Sequence, residues 1–240
     1  MEDLSTVAED LAPTGTLRAA INLGNPVLAH GSPGEPGGVT VDLAREVAVR
    51  LDVPVEFVCF DAARKSFEAL ASGAADLGFL AIEPARAAQV AFTAPYVVIE
   101  GVFVVPDGSP FTSPADVDRA GVRIGVKQGS AYDLFLTRTL QHATVVRGED
   151  GVVVFEEQGL EVAAGIRQPM TAYAAAHPGT RVITERFMQI QQAVGTTPDR
   201  RPETVEFLRA LVEELKANGF VAGSLRRANQ PDATVAPPSA

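Results

Sequence analysis

Residues 75–96 read ADLGFLAIEPARAAQVAFTAPY, and this stretch decides the fold. Its first part, 76–81, is an apolar run of strand length. Pro84 then stands where a proline best begins a helix, because the first helical amide needs no acceptor. Arg86 follows in the first turn, where a cation opposes the helix dipole. Such a charge indicates either a ligand carboxylate held by the guanidinium, or an arginine that is solvated or paired with Glu83.

The rest of the chain alternates apolar strand-like runs with segments of helical spacing, which predicts an α/β fold. A proline-, alanine- and serine-rich end, 231–240, predicts a loose tail. Strands are predicted at 17–23, 55–60, 76–81, 122–126, 162–166 and 182–184, and helices at 41–51, 67–71, 202–217 and from Pro84, Ser130 and Pro169.

Two parts of the sequence look alike. Residues 17–25 parallel 122–130, and residues 75–84 parallel 160–169, each pair as a strand followed by a turn and a helix. Two interpretations are open at this point. In the first, the similarity is the chance recurrence of such units that any α/β protein shows. In the second, the chain has two similar lobes, each with a small parallel sheet. In the second case a ligand would lie in the cleft between the lobes, at the carboxyl ends of the strands.

The composition excludes several classes of protein. The chain has 240 residues with 30 acidic and 20 basic side chains, a net charge of −10. We expect no nucleic-acid partner, because there is no basic surface to displace phosphate counterions. The single cysteine, Cys59, rules out an internal disulfide and a cysteine-based metal cluster. With 46% hydrophobic residues, the length suits one large domain or two lobes.

The beginning of the chain, Met1-Glu2-Asp3, is acidic and lacks the basic start and apolar run of an export signal. The expected localisation is therefore cytoplasmic as the chain is written, or periplasmic if a signal has been removed from it. No run approaches the length of about 20 apolar residues that a membrane span requires.

Catalytic signatures are missing, and the sequence predicts a binding protein rather than an enzyme. There is no phosphate-binding loop of the G-x-x-x-x-G-K-[ST] type and no G-x-S-x-G motif. The three histidines have no metal-ligand spacing, and we expect neither a metal nor a cofactor. The turn 129–131, Gly-Ser-Ala, follows a strand and begins a helix, which predicts either an anion site at the helix end or an ordinary serine cap.

The stretch at 75–96 resembles the central signature of the family 3 extracellular solute-binding proteins, the amino-acid-binding receptors of ABC importers. That signature is D-x-x-x-x-x-x-[ST]-x-x-R, followed by F-[ST]-x-P-Y. Asp76, Arg86 and Phe92–Tyr96 match it in order and spacing. The resemblance extends over residues 11–228, and 125–130, GVKQGS, is similar to the family's entry into its second lobe.

The resemblance implies a two-lobe type II periplasmic-binding-protein-like fold that closes on its ligand. Lobe one would be 1–103 plus 192–240 and lobe two 104–191, joined by hinge strands near 100–105 and 188–194. Arg86 matches the family arginine that holds the ligand carboxylate. The other ligand-binding positions carried over from the family are Ser130, Ala131, Ala81, Glu83, Asn25, Phe60 and Lys65.

One position departs from the family pattern. Where the second lobe usually provides an aspartate for the ligand amine, the strand 162–166 is followed by Arg167. Arg167 either pairs with Glu83 across the cleft, or binds an extra acidic group of an anionic ligand together with Arg86 and Lys65. We favour the anionic ligand, because unpaired cations are costly once water is excluded.

The resulting hypothesis is a monomeric substrate-binding protein for a carboxylate-bearing solute, an amino acid or an organic acid, that serves an ABC permease. One alternative is a cytoplasmic ligand sensor or a binding protein without a transporter. A second is an enzyme similar to the cyclohexadienyl dehydratases, which share this fold, with Glu83 as general acid.

Overall fold

The structure is a computed structural model that describes residues 4–239. The described residues form two compact units. Unit one comprises the described residues up to Val98 and those from Gln191 onward, and unit two comprises Ile99–Ile190. The sequence predicted the same order of segments with the first crossing at 103/104 and the return at 191/192.

The strands and helices follow in chain order. The strands are β1 (Leu17–Asn22), β2 (His30–Ser32), β3 (Glu35–Gly37), β4 (Val55–Phe60), β5 (Leu77–Ala81), β6 (Ala91–Pro106), β7 (Arg123–Lys127), β8 (Thr144–Gly148), β9 (Val162–Ile166), β10 (Thr180–Val182), β11 (Met188–Thr196) and β12 (Thr234–Val235). The helices are α1 (Ser5–Leu11), α2 (Val39–Leu51), α3 (Ala63–Ala71), α4 (Pro84–Ala87), α5 (Ala131–Thr139), α6 (Gly151–Gln158), α7 (Arg167–Ala176), α8 (Pro202–Ala217) and α9 (Phe220–Arg227), with a 3₁₀ turn at Pro114–Asp116.

Unit one is built on the strand order β4-β1-β5-β11. Strand β1 runs parallel to β4 and β5, and β11 pairs antiparallel with β5. Every residue of β5 is buried, which explains its unbroken apolar sequence. The sheet is flanked by amphipathic helices. One of them, α8, begins with a proline and has Glu203 in its first turn and Lys216 in its last, as the helix dipole favours.

Unit two repeats this plan with the strand order β8-β7-β9, all parallel, followed by the second part of β6, which is antiparallel to β9. Buried side chains on its two faces form separate apolar clusters, one around Phe103 and Ile124 and one around Phe155 and Met170. The close approach of α6 to β7 depends on Gly125, where a Cβ would lie 2.5 Å from the carbonyl oxygen of Gly151.

An arginine clamp appears in both units and supports the interpretation of two similar lobes. In unit one, Arg18 donates through its amide and Nε to Oδ2 of Asp76, and through Nη2 to Oδ1. In unit two, Arg123 donates in the same pattern to the carboxylate of Glu161. Each clamp joins the start of the central strand to the residue that precedes the next parallel strand.

Several predicted boundaries are corrected. Helix α3 begins at Ala63 rather than at 67, because the preceding alanine, arginine and lysine are good helix formers that apolar spacing does not detect. Helix α7 begins at Arg167, and Pro169 lies inside its first turn, where the missing amide costs nothing. The short strand predicted at 182–184 is Thr180–Val182.

The predicted loose tail, 231–240, is also corrected for the residues up to 239; Ala240 lies outside the described residues. Strand β12 pairs antiparallel with β6, opposite Val97 and Val98. The amide of Ala236 donates to the carbonyl of Tyr96 at 3.0 Å. The ammonium of Lys216 donates to the carbonyl of Pro237 at 2.9 Å. These hydrogen bonds hold the end of the described chain in place. A proline- and alanine-rich composition does not predict a strand there.

Among residues 4–239, no helix is both long enough and apolar enough to cross a membrane.

Candidate functional site

In unit one, the three parallel strands end at one edge of the sheet, and the residues predicted from the sequence gather there. Ala81 is the last residue of β5 and Phe60 the last of β4. Asn25 follows β1 in the next loop. Because the carboxyl ends of parallel strands share an edge, these positions share one face of unit one.

Arg86 is a buried cation at this edge. Its side chain is in α4, the short helix that Pro84 opens directly after β5, and the residue is 2% exposed. Nη1 donates to the carbonyl of Ala81 at 3.3 Å. Burial lowers the pKa of Arg86 to about 10, while the nearby charge of Glu83 acts in the opposite direction. The guanidinium is therefore charged at neutral pH, and the interpretation of a solvated arginine is wrong.

Glu83 is buried to the same extent, 2% exposed, and precedes α4 in an extended conformation. Its backbone carbonyl accepts the amide of Arg86 at 2.9 Å. The turn thus holds a buried carboxylate and a buried guanidinium within one helical turn. Two buried charged groups of opposite sign are costly to desolvate, and the charge of Glu83 favours the charged form of Arg86.

The remaining ligand-binding residues predicted in unit one are Asn25, Phe60 and Lys65. Asn25 is buried, and its Oδ1 accepts no hydrogen bond within the described part of the chain. Lys65 forms an ion pair with Asp61, Nζ to Oδ1 at 2.7 Å, so it is not the unpaired cation on which the preference for an anionic ligand relied. A cavity of about 320 Å³ in this unit is lined by Leu23, Pro33, Cys59, Phe60, Asp61 and Lys65.

In unit two, Ser130 caps α5. Its Oγ accepts the amide of Asp133 at 3.1 Å, and the carboxylate of Asp133 accepts the amide of Gly129 at 2.8 Å. Nε of Arg147 donates to the same carboxylate at 3.0 Å. The serine cap is therefore present, and an aspartate occupies part of the turn. Among the described residues, the amides of Ala131 and of the following tyrosine have no acceptor, so two donors point from the helix end.

Arg167 has a partner that neither interpretation of the sequence included. Its Nε donates to Oε2 of Glu100 at 2.5 Å, and its Nη2 donates to the carbonyl of Thr184 at 2.9 Å. Glu100 also accepts from Nη1 of Arg186 at 2.8 Å. The hydrogen bond from Arg186, together with that from Arg167, lowers the pKa of Glu100 against the effect of burial.

Sequence reasoning missed Asp133, Glu100 and Arg186. For Asp133 a signal exists, because Ser130-Ala131-Tyr132-Asp133 has the spacing of a capping box. For Glu100 there is none, since its position depends on the antiparallel register in which Gly101 lies opposite Ile166. That register places Glu100 next to Arg167, which is distant in sequence.

Both α/β units carry charged and polar side chains after the ends of their parallel strands. This arrangement is typical of a class of ligand-binding proteins. The chain belongs to the bacterial extracellular solute-binding proteins, family 3, whose sequence profile matches residues 17–227. The proteins of this family bind solutes for transport, which agrees with the family named from the sequence. A search of curated protein sequences gives no significant match.

Solved structures with the same fold are amino-acid-binding proteins at low sequence identity. A mutant of ArgBP from T. maritima has a TM-score of 0.76 and 20% identity, over 93% of this chain and 99% of that one. AbpA from Streptococcus pneumoniae, described as bound to L-arginine, has a TM-score of 0.76 and 18% identity, over 93% and 98%. The ancestral amino-acid-binding protein AncCDT-1, described as a precursor of cyclohexadienyl dehydratase, has a TM-score of 0.74 and 20% identity, over 93% and 98%. These likenesses confirm the predicted type II periplasmic-binding-protein fold.

Proposed function

We propose that this chain binds a small carboxylate-bearing solute, an amino acid or an organic acid, and presents it to an ABC permease. The observation that carries the proposal is the buried guanidinium of Arg86 directly after β5. The planar fork of a guanidinium matches a carboxylate with two parallel hydrogen bonds, and burial strengthens that interaction. A solute carboxylate at this position would add a second anionic group near Arg86, besides the neighbouring Glu83.

The start of α5 also supports a carboxylate. The amides of Ala131 and Tyr132 point from the start of α5, where a helix end favours a negative group. Asn25 carries a buried side-chain oxygen that accepts no hydrogen bond from a described group; this acceptor suits a donor such as a hydroxyl elsewhere on the solute, and it is not an argument for the carboxylate. From the sequence we expect the residues of both units to act on one solute, and that expectation stays a prediction.

The role in transport follows from the family rather than from a particular residue. We propose that the chain exchanges its solute with a membrane permease, and from the sequence we expect it to do so as a monomer. A fold neighbour from Wolinella succinogenes is described as complexed with lysine, and AbpA as bound to L-arginine. Both of those ligands carry a carboxylate, the group proposed here for Arg86.

A thermal-shift screen tests the proposal. The panel contains amino acids, hydroxy acids, keto acids and dicarboxylic acids, with sugars and amines of similar size as the comparison set. We expect at least one carboxylate to raise the unfolding temperature, because a ligand at 100 times its Kd adds about 2.7 kcal/mol of stability. Stabilisation by sugars or amines alone, with no effect of any carboxylate, would contradict the proposal.

A further inference from the structure

A cluster of three charged side chains lies where β9 ends in unit two. Arg167, the first residue of α7, and Arg186 both donate to the carboxylate of Glu100, on β6. We call Glu100, Arg167 and Arg186 the strand-end cluster. Its members are partly open to solvent, with side-chain exposures of 30%, 29% and 49% respectively.

The cluster has more positive than negative charge. Two guanidinium groups face one carboxylate, which leaves a net charge of +1. The lowered pKa of Glu100, caused first by its hydrogen bond from Arg186, keeps that carboxylate ionised at neutral pH. Glu185, the neighbour of Arg186 in sequence, forms no ion pair with either arginine within the described residues.

The cluster also has unused donors in fixed directions. Each guanidinium has five N–H donors in a rigid fork. Three hydrogen bonds, to Glu100 and to the carbonyl of Thr184, orient the two side chains. Among the described residues the other donors have no protein acceptor, and a partly exposed, oriented guanidinium is well suited to a carboxylate.

A solute ammonium group has little to bind in this cluster. Its one carboxylate is already shared by two arginines. The other buried carboxylate at the strand ends of this unit, that of Asp133, is bound by Arg147 and by the amide of Gly129. A positive group would therefore meet a net positive cluster and carboxylates that are hydrogen-bonded elsewhere.

We propose that the strand-end cluster recognises a second acidic group of the solute and disfavours an ammonium group, so that the preferred solute is a dicarboxylic acid without an amine. This inference rests on the proposed function and names the class of solute. Arg167 is the binding residue, and Glu100 positions its guanidinium. Arg186 keeps the cluster positive while Glu100 is ionised.

Calorimetric titration with matched acids tests the inference. Succinate is compared with butyrate, which lacks the second carboxylate, and with L-aspartate, which adds an amine; glutarate is compared with pentanoate and L-glutamate in the same way. We expect succinate or glutarate to bind about tenfold or more tightly than both the monoacid and the amino acid with which it is compared. Arg167→Gln should reduce the preference for the diacid over the monoacid about tenfold. Arg186→Gln should also reduce this preference.

Arg123→Gln is the matched control. Arg123 forms a similar ion pair with Glu161 in the same unit, but at the start of β7 rather than at the strand ends. This variant should lower stability only slightly, because water screens the pair, and leave the diacid preference unchanged. A merely structural role of Arg167 would give both variants the same result.

The outcomes separate the inference from the proposed function. Tighter binding of the amino acids, or a diacid preference that survives Arg167→Gln, overturns the inference and leaves the proposed function standing. Monoacids that bind as well as diacids also overturn it. If no carboxylate of any kind binds, here or in the thermal-shift panel, the proposed function itself fails.

Discussion

Asp76→Ala is expected to lower the free energy of unfolding of unit one by about 3 kcal/mol, because it removes one partner from a buried ion network. The carboxylate of Asp76 is fully buried and binds two arginines, Arg18 at 2.8 Å and Arg200 at 3.0 Å. Without it, both guanidinium groups lose their anion. In a unit of this size the change corresponds to a fall in Tm of about 6–12 °C, measured by circular dichroism during heating.

Glu161→Ala provides the matched control in unit two. Glu161 has the same three contacts with Arg123 that Asp76 has with Arg18, but its side chain is 36% exposed. Water therefore screens this pair, and its loss should cost only about 0–1 kcal/mol. Equal losses for the two variants would show that burial does not decide the strength of the clamp.

Arg86→Gln is expected to weaken binding of the carboxylate found by the screen by about 30-fold or more. Removal of one partner from a buried, hydrogen-bonded charge pair costs about 2–5 kcal/mol. Glutamine keeps part of the side-chain volume and one amide donor group but has no charge and no bidentate fork. Equilibrium titration of the wild-type and variant proteins gives the ratio of their Kd values.

Arg200→Gln is the control for that variant. Arg200 is also a largely buried arginine of unit one, but it binds Asp76, which precedes β5, rather than the residues that follow β5. It should therefore reduce stability without changing the Kd. A similar loss of affinity in both variants would assign the effect of Arg86 to a general weakening of the unit.

Local signals in the sequence predicted most of the plan of the fold, although β8 and α6 were not among the predicted elements. The buried strand 77–81 is an unbroken apolar run, and Pro84 marks the start of α4 where it was predicted. The internal repeat aligns Arg18 with Arg123 and Asp76 with Glu161, and the structure gives both pairs the same hydrogen bonds. Short-range patterns of this kind depend on residues close in sequence, so one sequence is enough to detect them.

Features that depend on register or on tertiary contacts could not be predicted in the same way. The pairing of Glu100 with Arg167 requires the antiparallel alignment of β6 with β9. Strand β12 forms only because β6 offers it an edge, although its own composition is typical of a loose tail. The burial of Arg86 and Glu83 likewise depends on the whole unit and not on their neighbours in the chain.

The class of ligand also depends on tertiary contacts that the sequence does not show. A cation in place of the expected aspartate suggested extra anionic groups, but the sequence could not show that Arg167 shares Glu100 with Arg186. In the structure, Arg167 is not an isolated cation but part of an oriented cluster with a net charge of +1. The solute class can therefore be tested with acids that differ by a single group.

The most direct measurement is calorimetric titration of the protein with the carboxylate found by the screen and, separately, with its primary amide. The two compounds have nearly the same size, but only the acid carries the charge that Arg86 would bind. We predict one-to-one binding of the acid and an affinity for the amide that is lower by about 30-fold or more, or unmeasurable, since a charge-assisted bidentate pair is lost. Equal affinities for the acid and its amide would contradict the assignment of this chain as a carboxylate-binding protein.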